Sequence, residues 1–458
     1  MNEAAKPLPP SAPMFEERRF TGIIRDAAAV IAEVVFSASV NRQGVLVMRF
    51  EGPHADDGLY MRLRETQRGE HLEWLQLDAH AEDGTRLRSS HFEVRDLSHS
   101  AGPDGLTVAF GGSCAHAELT LAPPQHRPER TPLRSVRFWL RGLECSGAPL
   151  KARIAGIGSL IISCRRQFAD EASWHDVSGM LVISQANGEV AIEETDAEWC
   201  ERAKVAGEEL LLALSFACGT QLAPRVIGEY RRNGTNIITV RRTTELPTRG
   251  EETALQVIPD WSLQAFLHAV ILRETEEIGT LSCLQDALSW LVAPSHFAEV
   301  RLFCAVTAIE NLIARGLSSG DGGLLSKDIY QKAKSAIQEV LKNELPHYQP
   351  EVLGRLLPRN EKGLREKLEC LLRKWGTSAD HLPPHALRDA ITARNQITHR
   401  GVNTVQAASG RAGTWSHAMV FRELAVRLIL ARFQYRGPYL SFVGRYHQRV
   451  FPACIAPG

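Results

Sequence analysis

Near residue 400 the chain reads Arg394-Asn395-Gln396-Ile397-Thr398-His399, which puts a guanidinium, an amide and an imidazole within a short run. These groups suffice to break RNA without a metal. An imidazole moves protons near neutral pH, a guanidinium grips a phosphate through paired hydrogen bonds, and an amide orients either one. Spacing alone carries little weight, because four other Arg/His pairs of similar separation occur: Arg49 with His54, Arg64 with His71, Arg86 with His91, and Arg411 with His417. The first three fall in strand-like sequence and the last crosses a stretch containing Gly413, so none has a helix to fix its geometry.

A helix is what separates Arg394 and His399 from the others. Pro383-Pro384 precede it, with Pro384 suited to a first turn, and Leu387, Ile391, Arg394 and Thr398 then fall at i, i+4, i+7 and i+11. This spacing puts Arg394 on the apolar stripe, where a guanidinium is costly unless paired and leucine would be the cheaper structural choice. Asn395 and His399 lie one turn apart and flank that stripe. Arg400-Gly401 follow, and a glycine just past the last turn is the usual helix stop, which leaves the imidazole at the negative end of the dipole and favours its protonated form. Glu310, beside the stripe Leu302, Val306, Ile309 and Ile313, is a candidate partner for Arg394, either as structural counter-ion or as orienting group. The plainer alternative has Arg394 paired with a buried acid and His399 merely capping the helix.

The elements around this motif divide the chain. Residues 1–14 are polar and proline-rich and are expected to be disordered. Residues 15–128 form a β-rich domain, from runs such as 44–50, 59–63 and 106–110 separated by Asp57-Gly58, Asp83-Gly84 and Asp104-Gly105, which suits the hairpins of a sandwich or barrel. The proline-rich run 123–132 breaks both periodicities and marks a boundary. Residues 129–255 are either a separate α+β domain or a continuation of the β-rich region. They hold strands at 135–140, 160–164 and 180–184, a helix at 197–216, and a hairpin with arms 226–232 and 236–241 around Asn233-Gly234. From 256 to 458 helical periodicity takes over, with a second stripe at Leu364, Leu368, Leu371, Leu372 and Trp375. The fold class is therefore α+β and multidomain, a β-rich half followed by an all-α helical bundle.

Composition bounds the function classes. No stretch approaches the ~20 apolar residues of a membrane span. The nine cysteines are scattered and include no Cys-x-x-Cys pair, which argues against a disulfide framework or a zinc knuckle and for a reducing cytoplasm. His381 and His385 enclose two prolines that prevent helical metal-ligand geometry. Gly156-Ile157-Gly158 lacks the third glycine of a dinucleotide turn, and the run 318–323 lacks the Gly-Lys-Ser/Thr ending of a phosphate loop. The formal net charge of zero hides an asymmetry. From Arg355 onward 17 Lys and Arg face 6 Asp and Glu, net +11, so the preceding residues carry 36 basic and 47 acidic groups, net −11. A basic tail attracts a polyanion such as RNA or an acidic patch of the same protein, and the acidic front half is a candidate shield for it. Arg422, Arg427, Arg432 and Arg436 spread around the last helix and read as a solvated face or, in a stretch of net +11, as a track for a phosphate backbone.

The run Arg-Asn-x-x-x-His-Arg-Gly at 394–401, preceded by a helix carrying Ala308-Ile309-Glu310-Asn311-Leu312, resembles the HEPN superfamily and, within it, the ApeA-like branch. The stretch 428–439 strengthens the likeness, since in such proteins a closing helix follows the motif and ends in a similar glycine-aromatic turn. The resemblance covers roughly residues 260–445, and the upstream half is similar to ApeA-type proteins in pattern only. It implies a helical domain that dimerises with both Arg/His motifs facing a shared cleft, and a metal-independent endoribonuclease without a cofactor. Many members serve toxin–antitoxin or abortive-infection defence against phage. Carried onto this chain, Arg394 and His399 are the implied catalytic pair, Asn395 the orienting residue and Glu310 a supporting acid. The implied partners are an RNA substrate, with tRNA one candidate, a second copy of the chain, and a phage-derived trigger or an antitoxin. Two readings compete: a non-catalytic HEPN module that binds RNA, nucleotide or a partner protein, and an adaptor whose helical domain only dimerises.

Overall fold

A computed structural model describes residues 17–26, 30–40, 46–51, 61, 63–65, 75–102, 105–114, 116–121, 133–143, 148–164, 179–185, 194–241, 255–293, 295, 297–318, 321, 323–344, 360–379, 382–400, 412–444 and 446–451. At 51, 95, 96, 99–102, 105–109, 141, 164, 399, 400 and 412 the description covers the backbone alone. The chain divides into two compact units, Met1–Leu211 with Leu222–Arg249, and Leu212–Gln221 with Gly250–Gly458. No helix among the described residues is long and apolar enough to cross a membrane.

The first unit is built on a 13-stranded sheet whose pairings are antiparallel. Six strands come first: β1 (Arg18–Arg25), β2 (Val30–Val40), β3 (Leu46–Glu51), β4 (Leu75–Ala81), β5 (Arg86–Gly102) and β6 (Gly105–Cys114). Because β4 pairs with β5 as well as with β1, these six close on themselves in the order β4-β1-β2-β3-β6-β5, which removes open edges. Alternation buries Phe20, Gly22 and Ile24 of β1 and Leu75, Leu77 and Ala79 of β4. The rings of Phe20, Phe36, Phe50, Phe92 and Phe110 form a chain of contacts, with Phe50 and Phe110 stacked at 4.3 Å. The strand expected at 59–63 is not one: Met61 and Leu63–Glu65 are helical, and Leu63 is buried.

After these come β7 (His116–Leu121), β8 (Ser135–Arg141), β9 (Leu150–Ile154), β10 (Gly158–Cys164), β11 (Gly179–Ser184), β12 (Ala223–Tyr230) and β13 (Asn236–Arg241). Strand β7 pairs with the start of β5, and the sheet continues β7-β13-β12-β8-β11-β10-β9. The strands before and after the proline-rich run 123–132 thus belong to one sheet. Helix α1 (Asp196–Cys218) opens with a capping box, in which Thr195 Oγ1 accepts the Glu198 N–H and Glu198 Oε2 accepts the Thr195 N–H. Gly207 lets α1 approach β8, since a Cβ there would fall 2.4 Å from the Phe138 ring.

Two hairpins share one turn geometry. Gly84 and Gly234 take positive φ, 83° and 84°, whereas Asp83 and Asn233 do not. The Asp83 and Asn233 Oδ1 atoms instead accept the N–H of Thr85 and Thr235, both at 2.9 Å. These are three-residue loops ending on a left-handed glycine rather than two-residue turns with two positive φ angles. Asp57-Gly58 and Asp104 lie outside the described residues.

The second unit holds α2 (Leu263–Glu276), α3 (Thr280–Val292), α4 (Ala298–Gly316), α5 (Lys327–Glu344), α6 (Leu364–Lys374), α7 (Ala386–Arg400) and α8 (Ala412–Arg432). Helices α4 and α8 are central: α4 packs on α3, α6, α7 and α8, and α8 also meets α3 and α7. The stripe Leu302, Val306, Ile309 and Ile313 is buried as its spacing predicts, and so are Leu368, Leu371 and Leu372 of α6. Helix α8 is buried on every side from Ala418 to Ala431. The unit is not wholly helical, since β14 (Pro438–Ser441) and β15 (His447–Val450) form a hairpin beyond α8.

Candidate functional site

Helix α7 begins after Pro383, Pro384 and His385, with the prolines in the turn that leads into it. The His385 carbonyl, on a residue of φ 67°, accepts the Asp389 N–H at 2.9 Å. The most buried residues of α7 are Ala390, Ala393 and Ile397, while Leu387, Ile391 and Arg394 are half-buried and Thr398 is exposed. The stripe expected through Leu387, Ile391, Arg394 and Thr398 is therefore rotated. Alanines set the packed edge, because small side chains let helices approach closely, and Arg394 stands at its margin. A marginal guanidinium keeps part of its hydration, so the burial penalty expected for it does not arise.

Arg394 nevertheless has defined partners. Its Nη2 donates to Glu310 Oε1 at 2.9 Å, and its Nη1 donates to Asn395 Oδ1 at 3.1 Å. The two charged side chains are 28% and 45% exposed, so the pair is partly open to solvent where α4 and α7 meet. Arg394 Nε is buried and makes no hydrogen bond among the described residues. Glu310 lies on the face of α4 that carries Val300, Phe303, Thr307 and Ala314, all exposed or half-buried. His399 is one turn beyond Asn395 on the same helix. Its side chain, and Gly401 with the expected helix stop, lie outside the described residues. Arg394 thus contacts both Glu310 and Asn395, and His399 shares the helix of Arg394 and Asn395.

Comparison of this chain with protein-family models, curated proteins and solved structures finds no match.

A further histidine lies where α7 and α8 meet. His417, whose pairing with Arg411 looked accidental, lies on α8 with its Nε2 buried and without a hydrogen-bond partner among the described residues. Burial pulls its pKa below the ordinary value, while the Asp389 carboxylate of α7 pulls the other way. Nothing in the sequence marks it, since the feature is made by two helices meeting. His385 is exposed, His381 lies outside the described residues, and no group of three or more metal-type ligands occurs among the described residues.

Of the four arginines, Arg436 lies beyond α8 and is exposed as expected, but the three on α8 are not a solvated face. Arg422 and Arg427 are buried with Glu423. Tyr439 ties two of them together, its hydroxyl donating to Glu423 Oε1 at 2.7 Å and accepting from Arg427 Nη1 at 3.2 Å. Arg422 donates to the Leu255 carbonyl and lies over the Phe442 ring, and Arg427 lies over Phe451. Burial lowers the Arg422 pKa, and burial with the Glu423 charge raises that of Tyr439. Arg432 pairs with Glu277. The network joins the last helix to the hairpin after it, a structural use of charge that leaves these residues unavailable to a ligand.

Proposed function

We propose that this protein is a metal-independent endoribonuclease of the HEPN type, a cytoplasmic homodimer that serves as an abortive-infection effector against phage, with its β-rich unit as sensor or regulator. The observation that carries the reading is Arg394, held by Glu310 from one helix and by Asn395 from its own, on the helix that also bears His399. A guanidinium fixed at two points and partly open to water is suited to a phosphate. In this scheme the ribose 2′-oxygen bonds to the adjacent phosphorus and the bond from phosphorus to the 5′-oxygen of the next nucleotide breaks. His399 shuttles the proton from the 2′-hydroxyl to the leaving 5′-oxygen, so the sum is transesterification with no net proton change. Arg394 offsets the charge that grows on the phosphoryl oxygens. The products are a 2′,3′-cyclic phosphate and a 5′-hydroxyl, and DNA, lacking the nucleophile, is not cut.

The test is purified wild type against His399→Ala on bulk RNA, tRNA and a DNA of matched sequence. RNA cleavage with cyclic-phosphate ends that vanishes in the variant is the expected result, and equal cleavage by both proteins removes the assignment. A second reading is favoured by the marginal position of Arg394, which a simple interhelical ion pair also explains. On that reading the helical unit binds RNA, nucleotide or a partner without cutting it. Binding by wild type without cleavage, lost in Arg394→Ala, would support it.

A further inference from the structure

We propose that the exposed face of α7 is a track for a single RNA strand, with Arg388 holding a phosphate beside the one that is cleaved. The proposal rests on the ribonuclease reading and deepens it. Arg388, Thr392, Asn395 and His399 recur at i, i+4, i+7 and i+11, so they line one face of the helix, opposite the packed alanines. The three whose side chains are described are all exposed. At 1.5 Å per residue the row runs about 16 Å, longer than a single phosphodiester link.

Every member of the row is polar and none is acidic, which suits a polyanion better than a solvated face of mixed charge. Arg388 is 63% exposed, and among the described residues its guanidinium meets only the neighbouring Asp389, at 3.4 Å. That contact is long and water-exposed, so a phosphate displaces it at little cost. Arg365 of α6 differs, since Glu369 holds it at 2.8 Å. The Thr392 hydroxyl donates to the Arg388 carbonyl at 2.9 Å, which leaves its oxygen to accept from a ribose 2′-hydroxyl. Asn395 gives its carbonyl to Arg394 and keeps its amide N–H groups for the strand.

Steady-state cleavage of a fluorescent oligoribonucleotide and binding of its uncleavable 2′-O-methyl counterpart, both with the full chain, test the track. Arg388→Ala is expected to raise KM on the order of tenfold with kcat nearly constant. It should also reduce the slope of log affinity against log salt by about 0.7, the share of one single-strand phosphate, and Arg388→Lys should restore the slope. Arg365→Ala makes the same charge change at an ion-paired position and should alter neither quantity. Unchanged KM and slope in Arg388→Ala, or an equal change in Arg365→Ala, overturns the track. If His399→Ala cleaves as well as wild type, it is the ribonuclease reading that falls, and the 2′-O-methyl binding slope then decides the track by itself.

Discussion

Removing the Glu310 carboxylate separates a catalytic arrangement from a merely structural one. The ion pair with Arg394 measures 2.9 Å between side chains that are 28% and 45% exposed, so water and salt screen it. Exposed pairs contribute about 0.2–1 kcal/mol, and a unit of this size shifts its melting midpoint about 2–4 °C per kcal/mol, so Glu310→Ala should melt no more than about 4 °C lower. Its effect on cleavage should be far larger. With Nη2 released, only the Asn395 contact on Nη1 still orients the guanidinium, and a displacement on the order of 1 Å costs about a hundredfold in rate. We expect kcat to fall about 10–100-fold, or roughly 1.4–2.7 kcal/mol in the barrier, with KM little changed. Glu310→Gln keeps an oxygen acceptor without its charge and should lie between. Single-turnover cleavage of a labelled RNA and a melt followed by circular dichroism read both quantities on the same samples. Wild-type turnover in Glu310→Ala, or a loss of turnover that merely tracks the folded fraction, would refute the reasoning.

Three further outcomes follow from the packing. His417 is held below its ordinary pKa by burial, so the unfolded chain binds this proton more readily than the fold does. Its contribution to stability is complete above about pH 6.5 and declines as pH falls through the depressed folded value; urea midpoints of His417→Gln should therefore be flatter on the acid side, and an unaltered slope would contradict this. Tyr439→Phe leaves the buried Glu423 carboxylate one donor short and should cost about 1.5–3 kcal/mol, seen as a lower denaturation midpoint at constant m-value. An unchanged midpoint would show that the network is dispensable. Gly207→Val places its Cβ 2.4 Å from the Phe138 ring carbons and should destabilise by about 1–3 kcal/mol despite a better helix propensity; a rise in the thermal midpoint would mean that α1 shifts freely on β8.

How far such features could be read from the sequence depended on how each helix is buried. Helix α4 was legible because Leu302, Val306, Ile309 and Ile313 are large, apolar and spaced for one buried face. Helix α7 was legible as a helix but not in its facing. Ala390 and Ala393 weigh little in a hydrophobic pattern, yet they form the packed edge, so the larger apolar residues trace a stripe through Arg394, which lies at the margin. Helix α8 is buried all round from Ala418 to Ala431 and so has no periodicity to detect there. Its arginines looked solvated because their partners come from elsewhere in the chain: the Leu255 carbonyl, Tyr439 and the Phe442 and Phe451 rings. The hairpin of β14 and β15 has four-residue strands, too short for alternation to register. Closure of the first six strands depends on the β4 pairings with both β1 and β5, which local pattern does not encode. Of the site, Arg394, Asn395, Glu310 and His399 are legible in the sequence as residue types, whereas the contact of Arg394 with Glu310 depends on how α4 and α7 cross.

The charge asymmetry takes a different meaning once the unit that carries it is known. The +11 counted from Arg355 onward belongs to a helical unit that begins earlier, at Leu212–Gln221 and Gly250, and over that whole unit 24 basic residues face 20 acidic ones, net +4. The acids that precede Arg355 are partly spent inside it, since Glu277 pairs with Arg432, Glu310 with Arg394 and Asp321 with Lys374. One of the four remaining positive charges is the buried excess of Arg422 and Arg427 over Glu423. Much of the split is thus neutralised within a single unit, and it does not require the acidic β-rich half as a shield. A net charge this small does not by itself gather RNA. Attraction of a polyanion must come from where weakly held cations stand, which puts the weight on the row of α7 and on Arg388 within it, whose contact with Asp389 is long and exposed.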